Sequence, residues 1–338
     1  MKTLTRLKHV GQGLARAVEL VDGATPHTVA WRSGPVTVRR YAPETRATDV
    51  PLVFVMPFIN RFRVVDLEPG TSLVGRLVAR GLEVFVVDWG APRRIDAGID
   101  FEDHVLRYLP RALAATGAAQ VDMLGLCLGG TLSTIFAATH PERVRRLATL
   151  VAPVSFADMD LLGLWTDPRW FPVERLTAAF GNMPGPLVNQ GFLWQKPMTQ
   201  LTKLQKAWPR FDDPAFAEFF CLLESWTSDG VDVPGAAYRR LINDLYRGDR
   251  LAKGELVLRR GDRALKVDLG AIRCPVFVAS ATDDLICPPP AATALLDLVS
   301  TPAAQKTHVS VKGGHIAPLV GPKARASLQD PLADYLLS

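Results

Sequence analysis

Short apolar runs, spaced a helix apart, set the limits on what this chain can fold into. Leu52-Val53-Phe54-Val55-Met56, Val84-Phe85-Val86-Val87, Val121-Asp122-Met123-Leu124 and Leu147-Ala148-Thr149-Leu150-Val151 are separated by stretches of helical length. The rhythm resumes near the end with Val276-Phe277-Val278-Ala279 and Val309-Ser310-Val311. Runs this short and this uniformly apolar suit parallel strands covered on both faces. Strands alternating with helices predict an α/β protein with a doubly wound, mostly parallel sheet that binds ligands at the carboxyl ends of its strands. Ahead of these runs, 28–32 and 36–41, split by Ser33-Gly34-Pro35, predict an antiparallel hairpin with alternating faces.

From about Pro153 to Asp249 the strand rhythm stops. That stretch carries Trp165, Trp170, Trp194, Trp208 and Trp226 among Phe, Leu and Pro, and it reads as short helices joined by loops. Because strands resume afterwards, residues 153–250 are expected to form a cap inserted into a core made of 26–152 and 251–338. Residues 1–25 form an N-terminal helical segment, with Leu4, Leu7, Val10, Leu14, Val18 and Leu20 at helix-like spacing. This helix serves packing or docking.

The 338 residues, 48% hydrophobic and 22% charged, describe an ordinary globular chain. No run reaches the roughly 18 apolar residues of a membrane span, and no apolar signal core follows Met1, so a cytoplasmic protein is expected. Cys127, Cys221, Cys274 and Cys287 show no CxxC spacing, which argues against a thiolate metal site and against a disulfide framework. The net charge of +5 comes from scattered arginines in no long basic run, so no nucleic-acid partner is expected.

One motif carries chemistry. Gly125-Leu126-Cys127-Leu128-Gly129 stands between the run ending at Leu124 and an apolar segment of helical character from Gly129 to Ala138. A strand, a tight Gly-x-nucleophile-x-Gly turn and a helix make the nucleophile elbow of the α/β-hydrolase fold. A buried cysteine is often an inert small hydrophobe, so the elbow needs partners. In this fold the acid and the base follow the nucleophile in that order, each after a later strand. Asp283-Asp284 follows the run at 276–280, and His315, in Gly313-Gly314-His315, follows the last run. Each alone suits an ordinary turn or flexible loop, whereas all three in this order predict a triad with Cys127 as nucleophile, His315 as base and an aspartate orienting it.

The backbone N–H of Leu128 is one expected oxyanion donor, and Pro57-Phe58-Ile59-Asn60 is where the fold supplies the second, from Ile59 or Phe58. Asp88-Trp89-Gly90 reads as a structural turn. The remaining histidines, including His104 and His140, are assigned no role.

The chain resembles the polyhydroxyalkanoate (PHA) synthases, in whose lipase-like box cysteine replaces serine. The likeness rests on Gly125-Leu126-Cys127-Leu128-Gly129-Gly130, on Ile59-Asn60-Arg61, Asp66-Leu67-Glu68-Pro69 and Ser72-Leu73, and on Val87-Asp88-Trp89-Gly90. Further matches are Val151-Ala152-Pro153-Val154-Ser155-Phe156, Gly181-Asn182-Met183-Pro184, Lys196-Pro197, Glu224-Ser225-Trp226 and Thr282-Asp283-Asp284. The resemblance implies transfer of (R)-3-hydroxyacyl groups from coenzyme A to a growing polyester through thioesters on Cys127. It implies no cofactor and no metal, with the coenzyme A thioester serving as substrate. It places the acid on Asp284, although the family has histidine where this chain has Leu285. Phe58 and Trp226 are the expected substrate-binding side chains. The short length resembles the two-component (class III/IV) catalytic subunits, which implies an accessory synthase subunit or a homodimer and a place at polyester granules. The rival readings are a cysteine esterase, thioesterase or polyester depolymerase on the same fold, and a granule scaffold without turnover.

Overall fold

The computed structural model describes residues 2–20, 22–195, 197–320 and 323–338, with the backbone alone at Thr199, Gln200 and Leu201. Lys196 of the Lys196-Pro197 pair and Met1 and Val21 of the N-terminal segment lie outside the described residues.

The strands are β1 (Thr28–Ser33), β2 (Val36–Tyr41), β3 (Leu52–Val55), β4 (Val84–Asp88), β5 (Val121–Leu126), β6 (Val144–Leu150), β7 (Val257–Arg260), β8 (Arg263–Lys266), β9 (Val276–Ala281) and β10 (Lys306–Val311). Eight of them form one sheet in the order β1-β2-β4-β3-β5-β6-β9-β10. β2 pairs antiparallel with β1 and β4, and every other pair in this sheet is parallel. The central strands are buried along their whole length, as their unbroken apolar runs require. Phe54, Phe277 and Leu147 are fully buried, each burial contributing roughly 1.5–3 kcal/mol.

The hairpin β1–β2 forms, but its faces do not alternate as the sequence predicts. β1 is the outermost strand of the sheet and is exposed along most of its length, while β2 buries Val36, Thr37, Val38 and Tyr41. A second hairpin, β7–β8, has no signal in the apolar pattern, because β8 is exposed throughout and its turn rests on Gly261 at φ +57°.

The helices are α1 (Lys2–Glu19), α2 (Leu73–Ala79), α3 (Leu109–Ala114), α4 (Leu128–Thr139), α5 (Asp160–Trp165), α6 (Val173–Phe180), α7 (Gly185–Trp194), α8 (Pro197–Ala207), α9 (Pro214–Ser228), α10 (Gly235–Arg240), α11 (Pro289–Leu298), α12 (Ala317–Val320) and α13 (Asp330–Leu337). α5 to α10 lie between β6 and β7 in the chain, where the sequence loses its strands.

This helical segment is closed at its two ends by one set of contacts and tied to the residues after β3 by another. Asp249 accepts hydrogen bonds from Phe156 N–H at 2.7 Å and from the Ser155 hydroxyl at 3.2 Å. Trp226 donates from Nε1 to the Arg61 carbonyl at 2.9 Å, and Arg61 and Arg63 both pair with Asp229.

α1 forms, yet it turns most of its large apolar side chains outward, with Val10 packed inward beside Phe211. Gly13 and Ala17 are its buried residues, and Gly13 sits so close to Ala217 and Cys221 of α9 that a Cβ there would lie 3.0 Å from both. Leu4, Leu7, Leu14 and Val18 are 53 to 79% exposed. Close helix contact selects small residues for the buried side, so the larger side chains fall on the opposite one.

Candidate active site

Cys127 ends up strained because three backbones converge around it. Its φ of 51° and ψ of −129° are unfavourable for a residue with a Cβ, and they are held by Cys127 N–H donating to the Leu150 carbonyl at 2.9 Å. The flanking glycines are required by contact. A Cβ on Gly125 would stand 2.3 Å from Gly130 Cα, and one on Gly129 would stand 2.1 Å from the Val55 carbonyl oxygen. β5 and α4 therefore meet without side chains between them, and the turn after β3 lies against the elbow. That turn carries Ile59, which lines cavities together with Cys127. Leu128 is the first residue of α4, so its N–H has no acceptor within the helix.

Asp284 and His315 reach the same edge because β9 and β10 are parallel and in step. Ala281 pairs with Val311 at their ends. Beyond the strands the two loops stay clamped: Thr282 N–H donates to the Val311 carbonyl, Asp283 N–H to the Gly313 carbonyl, and Gly313 N–H to the Thr282 hydroxyl.

The Asp284 carboxylate is fully buried and fully used. Its Oδ2 accepts from Nδ1 of His315 at 2.7 Å, while Oδ1 accepts from the backbone N–H groups of Ile286 at 2.9 Å and Cys287 at 3.0 Å. The side chain at position 285 takes no part in holding it. Leu285 thus stands in a loop whose acid is oriented by backbone donors.

Burial alone would lower the pKa of His315. The charge that Cys127 carries once it has lost its proton and the charge of Asp284, with hydrogen bonds to both, reverse that and raise it above the ordinary histidine value. With Nδ1 engaged by Asp284, Nε2 is the nitrogen available to the thiol. Cys127, His315 and Asp284 are thus in one connected group, an arrangement that could carry acyl transfer.

Two cavities meet at Cys127. A narrower one of about 130 Å³ runs under the helical segment past Leu128, Leu162, Trp165, Phe171 and Tyr246. A wider one of about 460 Å³ contains His315, Trp226, Asn60 and Asn189. Ile59, Phe192 and Ile286 border both.

Trp226 is therefore at the site, but Phe58 is not where the sequence reading puts it. Its ring is buried against Phe101 and His104, and it lines a small separate pocket with Trp89. Residue 58 faces into the core when its neighbour Ile59 faces the elbow. Trp89 is structural as expected, donating from Nε1 to the Met56 carbonyl at 2.6 Å.

Ile286, Phe192, Tyr238 and Tyr246 line the cavities without any prior sign in the sequence. The last two sit in an amphipathic helical stretch with Leu241, Ile242 and Leu245, where an aromatic residue reads as ordinary packing.

The family model described as the alpha/beta hydrolase fold matches residues 69–322. The chain is 33% identical to the poly(3-hydroxyalkanoate) polymerase subunit PhaC of Allochromatium vinosum, over 97% of this chain and 94% of that one. It is 31% identical to the subunit of the same name from Haloferax mediterranei, over 94% of this chain but spanning only 65% of that protein. Among solved structures, the putative non-heme bromoperoxidase BpoC of Mycobacterium tuberculosis superposes with a TM-score of 0.57 over 89% of this chain and 94% of that one. At 13% identity that likeness concerns the fold alone.

Proposed function

Since this chain belongs to the poly(3-hydroxyalkanoate) polymerase family of the α/β-hydrolase fold, we propose that it transfers (R)-3-hydroxyacyl groups from coenzyme A thioesters to a growing polyester through an acyl-enzyme on Cys127. The observation that carries this reading is the 2.7 Å bond from His315 to the buried Asp284, on a histidine whose charged form is favoured by Cys127.

The chemistry follows from those contacts. His315 takes the thiol proton, and the Cys127 sulfur attacks the thioester carbonyl. The C–S bond to coenzyme A breaks, and the leaving thiolate takes the proton from His315. Exchange of one thioester for another costs little, so the step runs at a modest driving force. The 3-hydroxyl of a second acyl group then gives its proton to His315 and attacks the Cys127 thioester, forming the ester and restoring the thiol. Asp284 keeps the imidazole oriented and stabilises its charge. The N–H of Leu128, with Ile59 N–H as second donor, receives the oxyanion.

Cysteine favours this outcome over hydrolysis, because an alkoxide resolves a thioester readily while the apolar cavity walls keep water scarce. No described helix is long and apolar enough to cross a membrane. Attachment to the polyester granule in the cytoplasm, together with an accessory synthase subunit or a second copy of the chain, completes the proposal. The exposed apolar side of α1 is the surface we assign to such contacts.

Incubation of the purified protein with 3-hydroxybutyryl-coenzyme A, alone and with an accessory subunit, tests the reading. Thiol release together with isolable polymer is expected. Release of free hydroxy acid without polymer would support the hydrolase instead.

A further inference from the structure

The narrower chamber is apolar but holds two phenols that nothing in the protein satisfies. Tyr238 is on α10, and Tyr246 is on the π-helical stretch Leu241–Arg247 that continues it. Both line the chamber with Cys127. Tyr246 packs its ring edge to face on Phe156 at 5.1 Å, and Tyr238 packs on Phe171 at 6.4 Å. Among the described residues neither hydroxyl has a hydrogen-bond partner.

Burial keeps both phenols protonated, with Tyr238 pushed up to about 12, and the charge at Cys127 acts on Tyr246 in the same direction. They are therefore donors at neutral pH. A donor without a protein partner on the wall of an apolar cavity is costly to leave unsatisfied, and a guest that brings an acceptor relieves that cost.

The size of the chamber limits the guest. An apolar cavity of roughly 150 Å³ admits a benzene-sized molecule, and this one measures about 130 Å³. A four-carbon 3-hydroxyacyl group has as many non-hydrogen atoms as benzene. Its carbonyl belongs at the N-terminus of α4, so its remaining atoms point along the chamber, carrying one oxygen beyond the carbonyl.

We propose that Tyr246 is the specificity-determining residue of the acyl site, donating a hydrogen bond to the 3-oxygen of the hydroxyacyl group on Cys127, with Tyr238 as the second donor of the same chamber. This rests on the acyl-enzyme reading above. A plain acyl group of the same length fills the chamber but leaves the phenol unsatisfied, so a site built this way discriminates by polarity rather than by size.

The test compares Tyr246→Phe with the parent protein, using 3-hydroxybutyryl-coenzyme A and butyryl-coenzyme A. The readouts are the initial rate of coenzyme A release and the mass of the Cys127 peptide. Phenylalanine keeps the ring on Phe156, and a thermal melt checks that the fold is kept.

The expected result is a loss of about tenfold in kcat/KM for the hydroxyacyl substrate with butyryl transfer unchanged. Tyr238→Phe is expected to move the same ratio in the same direction. Equal losses on both substrates, or no change on either, would overturn the role of Tyr246 while leaving the acyl-enzyme intact. If neither thioester acylates the parent protein, the acyl-enzyme reading itself fails.

Discussion

Asp284 holds His315 at 2.7 Å through one carboxylate oxygen while the other is gripped by the backbone N–H groups of Ile286 and Cys287. The carboxylate is thus oriented by main chain, and no hydrogen bond from the side chain at position 285 holds it. Asp284→Asn is expected to lower kcat about a thousandfold or more, because an amide can present its NH₂ to Nδ1 and leave the imidazole in the wrong tautomer. Leu285→His, which restores the residue usual in the family, is expected to change kcat by less than about threefold. Steady-state release of coenzyme A measures both.

The titration of His315 depends on Cys127. Burial lowers the histidine pKa, and the charges of Cys127 and Asp284 outweigh it, raising the value to about 10. Cys127→Ala removes one of those charges, so the His315 pKa should fall, as read from imidazole NMR shifts against pH. A raised folded-state pKa gives a contribution fully present below about 6.5 and lost as pH rises through the folded value. Denaturant midpoints should therefore drop less steeply in Cys127→Ala than in the parent across the alkaline side of neutrality.

The elbow glycines answer to backbone, which cannot yield. Gly129→Ala would put a Cβ 2.1 Å from the Val55 carbonyl oxygen. A loss of at least about 3 kcal/mol is expected, at the upper end for overpacking. Urea unfolding measures it, and a near-neutral result would mean that α4 can retreat from β3.

Asp249 fastens the helical segment to the loop after β6. It takes up the buried N–H of Phe156 at 2.7 Å and sits at a φ of 47°. Asp249→Ala loses the acceptor and keeps the awkward backbone, which should cost about 2–3 kcal/mol. Asp249→Asn keeps an acceptor and tolerates that φ, so it should recover most of the loss in the same unfolding experiment.

What the sequence discloses follows from which residues answer to local rules. The buried strands are legible because both faces are covered, leaving unbroken apolar runs at 52–55, 84–87 and 276–279. Cys127, Asp284 and His315 are legible because each stands directly after a strand at one sheet edge, and the parallel register of β9 with β10 converts that order into proximity.

Phe58, Tyr246 and the outward stripe of α1 are not legible for the converse reason. Which side of a turn or helix faces a cavity is decided by the packing partner. Gly13 against Ala217, and Phe58 against Phe101 and His104, are contacts between elements distant in the chain. The β7–β8 hairpin is hidden because its second strand is solvent-exposed and has no apolar face.

Cys127 is the residue expected to carry the acyl group. Rapid quenching after mixing with 3-hydroxybutyryl-coenzyme A, followed by mass analysis of the peptides, tests it most directly. A hydroxybutyryl adduct on the peptide containing Cys127, absent in Cys127→Ala, is the expected result. Coenzyme A release at an undiminished rate in Cys127→Ala, or an adduct confined to another residue, would contradict it.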